Sequence, residues 1–181
     1  MSLQWISILL GVLALTGGLL GVFCPGLVKR FIQLFPRSVV PAWILTALCC
    51  WLGLKEAQAM NMGFLSDYKK YLYVIAPLTF VACVTYLKEL LASRALGGFL
   101  LLIAVPIVQT AAVSGKPYFQ VITALVYIWI IFGLFLLLSP WWFRKFFKPF
   151  LEKESLMRAA SGLKAVLGVA LILLGLFVYG G

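Results

Sequence analysis

Apolar residues run along this sequence in six long blocks, and the short stretches between the blocks carry most of its charged residues. A helix that crosses the hydrocarbon core of a bilayer needs about 20 predominantly apolar residues. Because lipid offers the backbone no hydrogen-bond partners, runs of this length are expected to be helical. The blocks predict transmembrane helices over residues 3–23, 39–54, 71–87, 96–113, 121–138 and 159–179. The predicted fold is all-α, a polytopic membrane protein whose residues 1–181 form a single membrane domain.

The composition agrees with a bilayer as the solvent for most of the chain. Hydrophobic residues make up 64% of the sequence and charged residues 11%, with a mean hydropathy of +1.11. Soluble domains contain about 25% charged residues. Too few polar side chains remain here to cover a surface that faces water, so we expect an integral membrane protein without a separate soluble domain.

The positive charges are unevenly distributed among the predicted loops. The net charge is +10, from fifteen Lys and Arg residues against five Asp and Glu. Loops after the first, third and fifth helices contain ten of the cations, and loops after the second and fourth contain four. By the positive-inside rule the side with ten cations faces the cytoplasm. Both termini are therefore predicted to lie outside the cytoplasm. The predicted location is a bacterial inner membrane. Cations clustered between apolar runs favour anionic lipid headgroups over nucleic acid as their partner.

One pattern occurs twice, with an apolar run that leads through proline into a basic, aromatic stretch. It covers residues 18–37, GLLGVFCPGLVKRFIQLFPR, and residues 133–152, GLFLLLSPWWFRKFFKPFLE. When Pro25 is aligned with Pro140, residues 18–31 match residues 133–146 without a gap. Three interpretations remain open: ordinary cytoplasmic loops that collect basic and aromatic residues, an internal duplication, or a dedicated site for lipid or a partner.

Each basic stretch is predicted to form a short amphipathic helix in the membrane interface. In the second copy Phe143, Phe146 and Phe147 recur at helical spacing on one face, and cations occupy the other. The rings of such a helix enter the acyl boundary while its cations meet lipid phosphates. The predicted headgroup ligands are Lys29, Arg30, Arg37, Arg144, Lys145 and Lys148, and the predicted interfacial anchors are Phe31, Trp141, Trp142, Phe146 and Phe147.

The second copy and the helix after it carry a resemblance to a known kind of protein. The residues concerned are Pro140, Trp141, Trp142, Arg144, Lys145, Arg158, Gly162, Gly168 and Gly175. In this pattern the C-terminal part of the chain, and more weakly its N-terminal part, resembles short, uncharacterised two-helix bacterial inner-membrane proteins. The chain departs from that family in having six predicted helices rather than two. The resemblance implies a membrane location and carries over no activity, cofactor or site residue.

The residue types present do not indicate catalysis or metal binding. The sequence has no histidine, and its five carboxylates, Glu56, Asp67, Glu89, Glu152 and Glu154, lie in predicted loops or at helix ends. No two of them are predicted to form a pair buried inside a span, so we expect no enzyme activity and no catalytic residue. The four cysteines form no C-x-x-C pair, and we expect neither a bound metal nor a cofactor.

The most polar patch inside a predicted span is AVPIVQTA, residues 104–111. Pro106 leaves a carbonyl unpaired one turn earlier, which Gln109 or Thr110 could satisfy unless they bond to a neighbouring helix. The patch is interpreted either as a packing kink with a polar clamp or as a broken helix that lines a solute site. The centres of all six spans lack Asp, Glu, Lys and Arg, which argues against an ion-coupled transporter.

Small residues and the shortage of polar surface favour a function that depends on helix packing. Gly17 and Gly21 form a G-x-x-x-G pair in the first helix, which permits close approach of a helix from this chain or from a partner. We expect a non-enzymatic accessory or scaffold subunit of a membrane complex, which packs against other membrane proteins and anionic lipid. The alternative is a small passive carrier or channel-like protein for an uncharged or lipidic solute. Neither function involves nucleic acid.

Overall fold

A computed structural model of the protein describes residues 2–60, 69–86, 91–139 and 141–179, apart from the side chains of Arg37, Trp142 and Arg144. Of the described residues 92% are helical, and none belongs to a strand. The predicted all-α class is therefore confirmed.

Eight α-helices occur in the described parts of the chain. They are α1 Leu3–Phe23, α2 Pro25–Leu34, α3 Val39–Ala59, α4 Leu72–Tyr86, α5 Leu91–Val113, α6 Phe119–Leu138, α7 Trp142–Glu152 and α8 Glu154–Leu173. A 3-10 turn, Phe35–Arg37, joins α2 to α3, and a π-helical turn, Leu174–Val178, follows α8. The first helix has the predicted bounds. Helices α3, α5 and α8 extend beyond the apolar blocks because backbone hydrogen bonding continues into the polar residues that flank them.

Within the part of the chain that the structure describes, five helical segments have the length and apolar composition of a membrane span. They are Leu3–Phe23, Val39–Ala59, Leu91–Val113, Phe119–Leu138 and Glu154–Val178. At most a third of the most apolar stretch of each segment is buried within the protein. So much exposed apolar surface is stable only against lipid or other apolar chains. The long apolar helices therefore indicate integration into a membrane.

The third predicted span corresponds to α4, whose described part is shorter than the other spans. Its 15 residues extend about 22 Å at a rise of about 1.5 Å per residue. The hydrocarbon core is about 30 Å thick. Residue 87, the last of the predicted span, lies outside the described residues. The described part of α4 is too short to qualify as a span by length, so the number of six spans stays a prediction.

The chain divides into two compact units, and each is considered by itself. The first unit comprises Met1–Gln33, Ala104–Ile128 and Phe143–Gly181, and the second comprises Leu34–Ile103 and Trp129–Trp142. The division falls within α5 and α6, each of which contributes one part to each unit. A single membrane domain over the whole chain stays a prediction.

In the first unit α1 and α8 pack against each other in opposite directions. Gly11 lies against Gly168, and Gly21 lies against Ser161, so residue numbers rise along one helix as they fall along the other. A Cβ atom built on Gly11 would lie 2.8 Å from the carbonyl oxygen of Gly168, and the converse distance is also 2.8 Å. A side chain at either position would keep the two backbones apart. The glycine-rich faces of α1 and α8 therefore contact each other within one chain.

In the second unit α3 runs opposite to α4 and in the same direction as the first part of α5. Val39 at the start of α3 shares a pocket with Leu91 at the start of α5 and with Val84 near the end of α4. Farther along, the thiol of Cys49 donates to the carbonyl oxygen of Ala95 over 3.3 Å. The contacts thus advance together along α3 and α5, as they do in a parallel pair.

The parts of α5 and α6 that belong to the second unit meet at two glycines. A Cβ atom built on Gly97 would lie 2.6 Å from the carbonyl oxygen of Gly133. As in the first unit, a close helix contact therefore depends on the absence of side chains.

Candidate functional site

The first copy of the repeated pattern folds as the end of α1 followed by α2. The N–H of Cys24 donates to the carbonyl oxygen of Leu20 over 2.9 Å and closes α1. Pro25 then opens α2, where the missing N–H of a proline costs no helical hydrogen bond. The proline therefore separates a long apolar helix from a short basic one.

The predicted lipid-contacting residues of α2 reach the protein surface. Phe31 and Arg30 are exposed, and Lys29 is half-buried. No residue of α2 is buried. The side chain of Arg37, the fourth predicted headgroup ligand or anchor of this copy, lies outside the described residues.

The phenylalanines of α7 pack on one another along the helix. The ring centroids are 4.8 Å apart for Phe143 and Phe147, 5.2 Å for Phe146 and Phe147, and 5.9 Å for Phe146 and Phe150. Phe143 is buried, Phe147 and Phe150 are half-buried and Phe146 is exposed. The rings therefore form a continuous row, which is buried at Phe143 and half-buried or exposed at the three later rings.

The cations of α7 lie at the protein surface. Lys145 is exposed, and the ammonium group of Lys148 lies 3.8 Å from the carboxylate of Glu152, one helical turn away. Trp141, a predicted anchor just before the helix, is exposed. Pro140 and the side chains of Trp142 and Arg144 lie outside the described residues.

Both short helices adjoin the same end of the α1–α8 pair. Helix α1 continues through Cys24 into α2, and α7 continues through Lys153 into α8. Because α1 and α8 are antiparallel, the end of α1 lies beside the start of α8, where Gly21 meets Ser161. The two basic helices therefore adjoin the α1–α8 pair at one end.

A cleft of about 490 Å³ lies at the opposite end of the α1–α8 pair. Residues from the start of α1, the end of α5, the turn after α5 and the residue after the π-helical turn line it: Ser2, Leu3, Gln4, Gln109, Thr110, Val113, Ser114, Lys116 and Tyr179. Two of the three residues predicted for a kink or solute site, Gln109 and Thr110, thus line one cleft. Pro106 is not among the lining residues.

Helix α5 continues through Pro106 without interruption. The hydroxyl of Thr110 donates to the carbonyl oxygen of Pro106 itself over 2.7 Å. The Thr110 hydroxyl therefore does not pair with the carbonyl that the proline leaves without a partner one turn earlier. Gln109 is exposed, which leaves its amide accessible from the cleft.

Sequence reasoning missed Tyr179 and Lys116 as members of this cleft. Tyr179 is buried, and its hydroxyl donates to the carbonyl oxygen of Tyr118 over 2.9 Å. The bond ties the residue after the π-helical turn to the turn between α5 and α6, where Tyr118 has a φ of 60°. The predicted topology contained a signal that could have placed these residues near one another. It assigns the start of the first span and the ends of the fourth and sixth spans to one side of the membrane.

The chemistry available at these sites is electrostatic contact and hydrogen bonding. Glu154 and Arg158 form an exposed ion pair of 2.7 Å at the start of α8. Within the described residues, no group of three or more Cys, Asp or Glu side chains could hold a metal ion. The cations of α2 and α7 are suited to phosphate oxygens, and the cleft offers hydrogen bonds to an uncharged solute.

No protein-family model matches this sequence, and no curated protein or solved structure matches it. The resemblance to short two-helix inner-membrane proteins therefore stays a prediction. Only the chain's own residues and their geometry bear on its function.

Proposed function

We propose that this protein is a non-enzymatic accessory or scaffold subunit of a membrane complex, which packs against other membrane proteins and binds anionic lipid at one face. The observation that carries the proposal is the position of α2 and α7 at one end of the antiparallel α1–α8 pair. Two helices that bear cations and aromatic rings at the same end offer lipid headgroups contacts on a single side of the membrane.

The lipid contact depends on exposed groups of these two interfacial helices. Arg30 and Phe31 in α2 and Lys145, Phe146 and Lys148 in α7 are exposed. Rings of an interfacial helix enter the acyl boundary, and each cation near an anionic surface contributes about 1 kcal/mol. The two helices together therefore hold the chain at a defined depth and favour anionic lipid around it.

Six spans with both termini outside the cytoplasm are part of the proposal. Within the second unit α3 and α5 run in the same direction, which supports a return crossing between them, because two parallel spans cannot be consecutive in a membrane. Helix α4 is the α-helix described in that interval. The positive-inside rule then assigns α2 and α7 to the cytoplasmic face of a bacterial inner membrane.

Helix α4 offers the clearest surface for a partner helix. None of its residues is buried, and Val74, Leu78 and Val81 expose 67%, 69% and 55% of their surfaces. Exposed apolar surface of this extent is stable against lipid or against another apolar helix. A second membrane protein packed on α4 would cover this surface.

Purification of the tagged protein from its native membrane in mild detergent tests the subunit function. We expect a second membrane protein in stoichiometric amount, lost in Leu78→Trp because the larger ring displaces a close partner. Leu163→Trp in α8 is the matched control, since Leu163 exposes a similar 65% of its surface. Purification of this chain alone, with no stoichiometric partner, would contradict the proposal.

The second candidate function is a passive carrier, and the cleft at Gln109 and Thr110 favours it. Glycerol efflux from proteoliposomes tests it with an uncharged probe. A carrier should lose efflux in Gln109→Leu and retain it in Gln120→Leu, because Gln120 is exposed on α6 and does not line the cleft. Efflux equal to that of protein-free liposomes would exclude glycerol as a solute and favour the subunit function.

A further inference from the structure

We propose that the second unit binds one anionic phospholipid, whose phosphate is held by Arg94 and whose acyl chain fills the adjoining cavity. The residues concerned are separate from those of α2 and α7. The inference therefore needs a membrane around the chain but does not rest on the scaffold function or on the interfacial helices.

The cavity lies among α3, α4 and the first part of α5, all within the second unit. It measures about 480 Å³, within the range of roughly 300–1,000 Å³ that is usual for ligand pockets. Helix α3 contributes Thr46 and Cys49 to its wall, α4 contributes Thr79 and Cys83, and α6 adds Leu137. Helix α5 adds the apolar residues Leu91, Ala95 and Gly98, and this apolar part of the wall suits an acyl chain.

Arg94 supplies the charge of this cavity. Among the described residues that line it, Arg94 is the one with a formal charge. Its Nε atom is buried and has no hydrogen-bond partner within the described chain. A buried donor of a charged group is costly when it stays unpaired, so a hydrogen-bond acceptor beside this atom would stabilise the structure. Guanidinium groups bind phosphate oxygens through parallel N–H···O bonds, so phosphate fits the unpaired donor.

The depth of Arg94 in its helix agrees with a lipid phosphate. Arg94 is the fourth residue of α5, about 5 Å from the helix start at the α-helical rise. That depth corresponds to the headgroup region of a spanning helix, where long cationic side chains reach the interface. An acyl chain attached to the bound phosphate would extend from there along α3 and α5 towards the bilayer centre.

The hydroxyl groups of the wall are already used by their own helices. Thr46 donates to the carbonyl oxygen of Ala42 over 2.7 Å, and Thr79 donates to that of Ile75 over 2.8 Å. With these donors occupied, the two hydroxyls need no hydrogen bond from a ligand. An inorganic anion at Arg94 would leave this apolar wall uncovered, whereas a phospholipid covers both parts, so an amphiphile matches the cavity better.

Native mass spectrometry of the full chain tests the inference. The protein is released from bilayers of equal parts phosphatidylglycerol and phosphatidylcholine, and detergent washing removes loosely bound lipid. We expect one phosphatidylglycerol per chain to remain, with its occupancy at least tenfold lower in Arg94→Gln and partly restored in Arg94→Lys. Arg158→Gln is the matched control, since it removes one arginine charge at the exposed start of α8.

A second pair of variants tests the cavity without touching the charge. A Cβ atom on Gly98 would meet Cys49 Sγ at 3.6 Å and Leu137 Cδ1 at 3.9 Å, which are ordinary contacts. The backbone therefore accepts Gly98→Leu. The rest of the new side chain occupies the cavity and should lower the occupancy of the bound lipid at least tenfold. Gly53→Leu is the control, because a Cβ atom at Gly53 has nothing within 4 Å. Helicity and monodispersity of each variant verify that it is folded.

Three results would overturn the inference. They are retention of phosphatidylglycerol by Arg94→Gln at the level of the unsubstituted protein, equal retention of phosphatidylcholine, and a second copy of the chain bound in place of lipid. Substitution of Lys145 and Lys148 by Gln separates this site from the proposed interfacial surface. Those changes should reduce the loosely bound anionic lipid that washing removes and leave the single retained lipid in place.

Discussion

The hydroxyl of Ser7 donates a hydrogen bond of 2.7 Å to the carbonyl oxygen of Leu171, across the contact between α1 and α8. Both residues are buried, and 164 positions separate them in the chain. The bond lies beside Gly11, where the two backbones come into close contact. A polar bond and a glycine contact together thus hold the first and last spans side by side.

Replacement of Ser7 by alanine should weaken this pair by a modest amount. Hydrogen bonds between membrane helices contribute on average about 0.6 kcal/mol and at most about 1.7 kcal/mol. Unfolding in mixed micelles with increasing SDS measures the change in the free energy of unfolding. Thr16→Ala is the control, because the exposed Thr16 hydroxyl bonds within its own helix to Val12. An equal decrease in the free energy of unfolding in the two variants would mean that the bond between the helices stabilises the protein no more than the bond within α1.

Addition of a single methyl group at Gly168 should be more damaging. Its Cβ atom would lie 2.5 Å from the backbone nitrogen of Leu15 and 2.8 Å from the carbonyl oxygen of Gly11, and backbone atoms cannot move aside without separating the helices. We expect Gly168→Ala to lower the free energy of unfolding by about 1–3 kcal/mol.

The same helix provides a matched control for that change. A Cβ atom at Gly162 has nothing within 4 Å, so Gly162→Ala should be neutral or stabilise the helix by up to about 1 kcal/mol. SDS unfolding measures both variants. If Gly168→Ala were as stable as Gly162→Ala, the close contact of α1 with α8 would be wrong.

Cysteine labelling should separate the two ends of the first unit. Lys116 lines the cleft at one end of the α1–α8 pair, and Lys148 lies in α7, which adjoins the other end. In a chain whose four native cysteines are replaced, a membrane-impermeant maleimide should label Lys116→Cys in intact spheroplasts. Lys148→Cys should react only after lysis. Labelling of both positions from outside would contradict the six-span topology and the cytoplasmic assignment of α7.

Loss of the Tyr179 hydroxyl should loosen the turn between α5 and α6. Tyr179→Phe removes the bond to the Tyr118 carbonyl, and one such bond contributes about 1 kcal/mol. Hydrogen exchange of residues 114–118 should therefore become several-fold faster. Tyr127→Phe is the control, because Tyr127 exposes most of its surface on α6. Unchanged exchange in Tyr179→Phe would mean that the turn is held by other contacts.

The sequence by itself determined that apolar surroundings suit most of this chain and where most of its helices lie. Hydrocarbon offers a backbone no partner, so an apolar block of sufficient length becomes helical whatever its neighbours are. Helix α1 accordingly begins at Leu3 and ends at Phe23 as predicted, and Pro25 opens the next helix. The two basic stretches form the short helices α2 and α7, and their amphipathic, interfacial character stays a prediction.

The candidate sites were only partly accessible from the sequence. Gln109 and Thr110 stood out because polar residues inside an apolar block are unusual, and both line the cleft. Tyr179 and Lys116 lie at block ends, where polar residues are common and draw no attention. Arg94 fell in a basic loop by hydropathy, whereas the structure has it in the first turn of α5 beside a cavity.

Which helices pack together was decided only by the tertiary structure. The spans are apolar on all sides, so hydropathy contains little information on which face of one helix meets which face of another. In lipid the choice depends on shape, because apolar contacts with lipid tails are as favourable as those with protein. Gly11 against Gly168 and Gly97 against Gly133 allow backbones to touch, and only a folded chain brings such distant residues together.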